Sequence, residues 1–135
     1  TISSNTVLAI LTSLRAIVRV GMPAHIAKYA RAGRVIREGM SRMGFVPYVP
    51  ESCAAPMVTA FHARPEFTVS EFSRWLLDER RIAISGGLGE LAGKIFRVGH
   101  LGRAASEEYL TDFLAAVEAF LRQKGLITPG VIAGA

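Results

Sequence analysis

At 135 residues the chain has the length of one ordinary domain, and with half of its residues hydrophobic it can bury a core of its own. A charged fraction of 20% excludes an extended disordered region, and the longest apolar stretch, residues 7–14, is too short to span a bilayer before Arg15 interrupts it. The net charge of +5 comes from scattered basic residues whose densest groups (Arg31, Arg34, Arg37; Arg80, Arg81) fall on amphipathic helices, a pattern of solvated faces or a subunit contact rather than a nucleic-acid surface.

The pattern of apolar residues predicts four helices and four short strands. Val7, Leu8, Leu11, Leu14, Ile17 and Val18 recur at helical spacing behind a cap at Ser3, Ser4 or Asn5, and Gly21 stops them. Pro23 opens a second helix, with Ile26, Tyr29, Ala30, Gly33, Ile36, Met40 and Met43 on one face up to Gly44. Strands are expected over residues 45–49 and 57–62, the first demoted to an edge by Pro47 and Pro50. Thr68 and Glu71 form a capping box ahead of Val69, Phe72, Trp75 and Leu76. Two more strands are expected, over residues 81–84 and 95–98. Ser106 then caps the last helix, where Glu107 and Glu108 suit the positive end of the dipole and Leu110, Phe113, Leu114, Val117, Phe120 and Leu121 make the apolar stripe. The fold class expected is α+β, a small, mostly antiparallel sheet covered on one side by helices. Residues 126–135, with Pro129 and small terminal residues, read as a flexible tail.

Chemistry concentrates in GGLGELAGKIFRVGHLG, residues 86–102. A P-loop needs glycine six positions before its lysine and Ser or Thr after it; Leu88 and Ile95 stand there instead. A dinucleotide turn over Gly87, Gly89 and Ala92 must open into a helix, whereas Gly93 and Lys94 lead into a strand. Lys94 reads as a solvated lysine at a strand start rather than a Schiff-base lysine, which needs a desolvated amine; Lys28 and Lys124 sit on polar helix faces. Arg97 is set inside the apolar stretch Ile95, Phe96, Val98. A strand arginine there needs an anion, either a bound carboxylate held by its planar fork or an internal Asp or Glu. The nearby glycines would let backbone approach a ligand closely. His25, His62, His100 and Cys53 have no metal-ligand spacing. The single cysteine excludes an intrachain disulfide and fits a reducing compartment, and no signal peptide precedes the first helix, so the expected location is cytoplasmic. On the residues alone, a stand-alone α+β module in which Arg97 holds an anionic metabolite is also open.

The run GGLGELAGKIFRVGHLG followed by a capped helix resembles the C-terminal part of class V aminotransferases, nearest the alanine–glyoxylate and serine–glyoxylate transaminases. The pattern GK-x-x-R-x-G-x-x-G carries the likeness, and TISSNTVLAI resembles the segment where such enzymes leave their large domain. The resemblance implies fold type I pyridoxal-phosphate (PLP) chemistry, moving an amino group from alanine or serine to a 2-oxo acid such as glyoxylate, in a homodimer. It implies a linking helix over residues 1–21, a small domain over residues 22–125 and the tail beyond. It gives Arg97 the substrate α-carboxylate, and Thr1 the cofactor phosphate of the neighbouring subunit. The family's PLP lysine, the aspartate facing the pyridine nitrogen and the stacking aromatic belong to the large domain and have no counterpart here, so the chain by itself is expected to be inactive. PMVTAF, residues 56–61, is similar to the related 2-aminoethylphosphonate–pyruvate transaminases.

Overall fold

The computed structural model describes residues 3–127. The Ser3 hydroxyl accepts from the Thr6 backbone N–H and caps α1 (Ser4–Val20). Gly21, at φ 89°, then turns the chain through 93° into α2 (Met22–Arg42). Its positive φ is the reason glycine stands at that corner. Pro23 sits in the first turn of α2, where its missing N–H leaves no helical bond unmade.

The chain continues through β1 (Val58–His62), α3 (Val69–Arg80), β2 (Ser85–Gly86), β3 (Ile95–Gly99) and α4 (Glu107–Gln123). The three strands form an antiparallel sheet in the order β1-β3-β2. Phe61 pairs with Phe96 and Ala60 with Arg97 across β1 and β3, while Ser85 stands opposite Arg97 across β2 and β3. Thr68 and Ser106 cap α3 and α4 as their positions in the sequence predict, accepting from the N–H groups of Glu71 and Tyr109.

Two expected strands are cut down, each for a local reason. Over residues 45–49 only a single bridge forms, between Pro47 and Phe61, flanked by bonds from Tyr48 N–H to the Ala60 carbonyl and from His62 N–H to the Val46 carbonyl. Pro47 has no N–H to extend the ladder. Over residues 81–84 no strand forms. Arg81 takes the left-handed conformation at φ 57°, and the N–H groups of Arg81 and Ile82 fold back onto the carbonyls of Leu77 and Leu76. That motif ends α3 by turning the chain, so pairing begins only at Ser85.

Helices α2, α3 and α4 lie on one face of the sheet, and α1 packs on α2. Phe45, Phe61, Phe72, Phe96 and Phe120 are almost wholly buried, with Phe72 central: its ring centroid is 5.2 Å from that of Phe96 and 5.0 Å from that of Phe120. Burying such a side chain stabilises the fold by about 1.5–3 kcal/mol. Where α2 meets α4, an added Cβ on Gly39 would lie 2.6 Å from Leu114, so the missing side chain sets how closely the two helices approach. Of the expected stripe on α2, Tyr29 packs at the edge of the core and Gly33, Ile36, Met40 and Met43 are buried, while Ile26 and Ala30 are exposed. No residue of α1 is buried, and Val7, Leu8, Ile10, Leu14 and Val18 all face outward. Among the described residues no single helix is long and apolar enough to cross a membrane. Leu126 and Ile127 pack against the core; the rest of the expected tail lies outside the described residues.

Candidate functional site

Arg97 occupies the middle of β3, the central strand. Side chains alternate across a strand, so Phe96 and Val98 enter the core while Arg97 points to the face away from the helices. There it stands between Ala60 on β1 and Ser85 on β2, half-buried, with Nε donating to the Gly86 carbonyl at 3.0 Å. The ion pairs among the described residues use Arg31, Arg37, Arg64, Arg122 and Lys124. The internal partner that the sequence left open for Arg97 is therefore not formed among the described residues. One bond fixes the guanidinium, and its two terminal nitrogens remain available as a planar fork that matches a carboxylate.

Among the glycines around it, Gly87 has a packing task, while a Cβ added at Gly89, Gly93 or Gly102 would meet nothing within 4 Å. An added Cβ on Gly87 would lie 2.0 Å from the Leu91 carbonyl oxygen and 2.9 Å from Ile95, so the close approach is to the chain itself, not to a ligand. Residues 87–94 make a turn folded over Ile95, closed by bonds from Gly87 N–H to the Ile95 carbonyl and from Lys94 N–H to the Leu91 carbonyl. That turn holds the Gly86 carbonyl where Arg97 meets it. Thr1, the other expected site residue, lies outside the described residues.

A second polar group is buried on the helix side. His100 Nε2 and Thr59 Oγ1 are 2.9 Å apart, both residues being buried. Arg37 grips Glu51 through two bonds of 2.6 Å, tying the loop after residue 50 to α2. Arg37 Nη1 and His100 Nδ1 are buried without a hydrogen-bond partner, and an added Cβ on Gly33 would lie within 2.9 Å of the first and 3.0 Å of the His100 ring. Burial holds the His100 pKa below the usual histidine range, with the Arg37 charge adding to the effect. The Arg37 bond holds the Glu51 carboxyl below its usual range. Neither Ser85 nor this buried group could be found from sequence reasoning. Both depend on register and helix packing, and the strand expected over residues 81–84 stops one residue short of Ser85.

No protein-family model matches the chain. It is 33% identical over 129 residues to the soluble hydrogenase small subunit of a Synechococcus species, covering 93% of this chain and 33% of that protein. It is 30% identical over 123 residues to an uncharacterised aminotransferase of Methanocaldococcus jannaschii, covering 91% of this chain and 32% of that protein. The serine–glyoxylate aminotransferase of Arabidopsis thaliana is 33% identical over 106 residues, with 78% of this chain and 26% of that protein covered. A 2-aminoethylphosphonate–pyruvate transaminase of a Polaromonas species is 30% identical over 109 residues, with 78% and 28% covered. The crystal structure of alanine–glyoxylate aminotransferase from a Nostoc species superimposes with a TM-score of 0.78 at 29% identity, over 82% of this chain and 29% of that one. Ureidoglycine–glyoxylate aminotransferase from Bacillus subtilis gives 0.80 at 26% identity, over 86% and 30%. Apart from the hydrogenase subunit, these homologues and structural neighbours are class V aminotransferases. The chain spans about a third of the length of the curated relatives it matches.

The homologous aminotransferases of this fold are PLP-dependent. Lys28 Nζ donates to the Gly102 carbonyl at 3.1 Å, Lys124 pairs with Glu71, and Lys94 is exposed beside Gly93. None is a desolvated amine of the kind an imine-forming lysine requires. Arg97 and its surroundings suit the other half of such a site, the part that holds a substrate by its carboxylate. Among the described residues no group of three or more His, Cys, Asp and Glu side chains could hold a metal ion.

Proposed function

We propose that this chain is the substrate-anchoring domain of a PLP-dependent aminotransferase that passes an amino group from a small amino acid, alanine or serine, to a 2-oxo acid such as glyoxylate. The observation that carries the proposal is Arg97: fixed through Nε to the Gly86 carbonyl, half-buried, and unpaired with any carboxylate among the described residues. A guanidinium preorganised in this way orients a substrate through two parallel bonds to its carboxylate and so presents Cα to the chemistry in one pose. The electron sink is the cofactor's contribution, and in this reading the lysine-bearing part of the protein holds it. The outward apolar face of α1 is where that part packs; its support is the row of exposed Val7, Leu8, Ile10, Leu14 and Val18, together with the third of the relatives' length that this chain spans. In the same reading the enzyme is a homodimer with Thr1 at the neighbouring subunit's cofactor phosphate, supported by the sequence resemblance of residues 1–10, and cytoplasmic, supported by its single cysteine.

A second reading is favoured by the match to a 2-aminoethylphosphonate–pyruvate transaminase at 30% identity. Glyoxylate and pyruvate both carry a carboxylate, so Arg97 serves either acceptor, and only the donor separates the two. The test is amino transfer by the full-length protein with alanine or serine plus glyoxylate, set against 2-aminoethylphosphonate plus pyruvate. Faster PLP-dependent turnover with the first set supports the leading reading, faster turnover with the second installs its rival, and no transfer with either overturns both.

A further inference from the structure

We propose that Ser85 is the second contact to the substrate carboxylate, a specificity-determining residue beside Arg97; this rests on the anchoring role given to Arg97 above. Pairing across the sheet places the two residues directly opposite each other. Side chains of paired residues emerge on the same face, so the Ser85 hydroxyl stands on the outward face with the guanidinium.

The pattern of backbone bonds makes the neighbourhood closer still. Gly87 N–H donates to the Ile95 carbonyl at 2.9 Å, which makes Gly87 and Ile95 a hydrogen-bonded pair. By alternation Gly86 and Phe96 are a non-bonded pair, and Ser85 and Arg97 a bonded one with Cα atoms about 5.5 Å apart. In a non-bonded pair the carbonyl points away from the partner strand, so the Gly86 oxygen faces the outer edge of β2. Arg97 nevertheless reaches that oxygen at 3.0 Å. Its side chain must therefore cross β2 on the outward face, past Ser85, and deliver its terminal nitrogens at the edge where Ser85 is exposed.

The face around this pair is poor in competing groups. The residues that share it on the three strands are Val58, Ala60, His62, Ile95 and Gly99, none of them acidic. Ala60, on the other flank of Arg97, adds only a methyl group. A hydroxyl donor beside a guanidinium, without a carboxylate to satisfy either, is a two-residue site for a small oxyanion. The α-carboxylate common to amino acid donors and 2-oxo acid acceptors is the group it fits.

The test uses the full-length protein with Ser85→Ala, Ser85→Thr and Arg97→Ala, read as KM and kcat separately. A neutral donor to a charged group supports about a tenfold change in affinity. Ser85→Ala should raise KM for the amino acid and for the 2-oxo acid about tenfold, with kcat within about twofold, and Ser85→Thr should restore the native KM because it keeps the hydroxyl. An amine donor without a carboxylate, such as ethylamine, should not respond to Ser85→Ala. An unchanged KM in Ser85→Ala, with a raised KM in Arg97→Ala, overturns the role of Ser85 and leaves that of Arg97 intact. Unchanged values in both overturn the anchoring reading itself.

Discussion

Replacing Gly87 with alanine tests whether the glycine run is a self-packed turn. The new Cβ would stand 2.0 Å from the Leu91 carbonyl oxygen, where ordinary contact begins near 3.4 Å, and the obstacle is backbone that no rotamer change can move. Residues 88–91 must shift outward, loosening the bonds from Gly87 N–H to the Ile95 carbonyl and from Lys94 N–H to the Leu91 carbonyl. Each such bond contributes about 1 kcal/mol net, and forced overpacking costs about 1–3 kcal/mol more. Against this, alanine lowers the entropy of the unfolded chain, a gain of about 0.4–1 kcal/mol. The loss wins by about 2–4 kcal/mol, which for a domain of this size lowers Tm by about 8–16 °C. Urea titration and thermal melting followed by far-UV circular dichroism measure it. Gly89→Ala is the matched control: φ is 53° there but nothing lies within 4 Å of the added atom, so only the left-handed strain of about 1–2 kcal/mol applies. An unchanged midpoint for Gly87→Ala would refute the packing argument, and so would a larger loss for Gly89→Ala.

Two further outcomes follow from the core and from α1. The buried His100 titrates below its ordinary value of 6.5 in the folded chain, so the unfolded chain binds the proton more readily; its contribution to stability is whole above that value and is lost as pH falls below it. Glu51, Glu66 and Glu71 are held low by Arg37, Arg64 and Lys124, so their contributions are lost only as pH falls below 4.5. Urea midpoints at about pH 7.5 and about pH 5.5 should therefore fall in the native chain and fall less in His100→Gln; equal falls would contradict the assignment. Leu8→Glu and Leu14→Glu replace residues that are 58% and 53% exposed, so each should shift stability by under about 0.5 kcal/mol, while Phe72→Ala costs about 3–5 kcal/mol. The same two charges should block α1 from packing on the lysine-bearing part of the full-length protein, seen as easier proteolysis between the two; resistance equal to the native protein would remove that role from α1.

The helices were legible because each carries its own signals: Thr68 and Ser106 cap where the sequence places them, Ser3 is the cap among the three residues open for α1, and the stripes of α3 and α4 become their buried faces. Strand boundaries were less so. Pro47 and the left-handed Arg81 cut two expected strands by backbone chemistry that hydrophobic pattern does not reveal. Arg97 could be singled out because a strand arginine among apolar residues needs a partner. Its bond to Gly86 and its pairing with Ser85 follow from register, which appears only when three distant segments meet. Gly87 could not be told apart in the sequence because close approach to a ligand and close approach to the chain demand the same residue type; only the Leu91 carbonyl beside it shows the second.

The most direct measurement is the amino acid KM of the Arg97→Ala variant of the full-length protein, with cofactor content read from the absorbance of bound PLP. Loss of the charged fork removes about 3 kcal/mol of binding, roughly a hundredfold in KM. The prediction is that rise in KM with PLP content unchanged, since the proposal gives Arg97 the substrate carboxylate and not the cofactor. A native KM in the variant would contradict the claim that Arg97 reads the carboxylate.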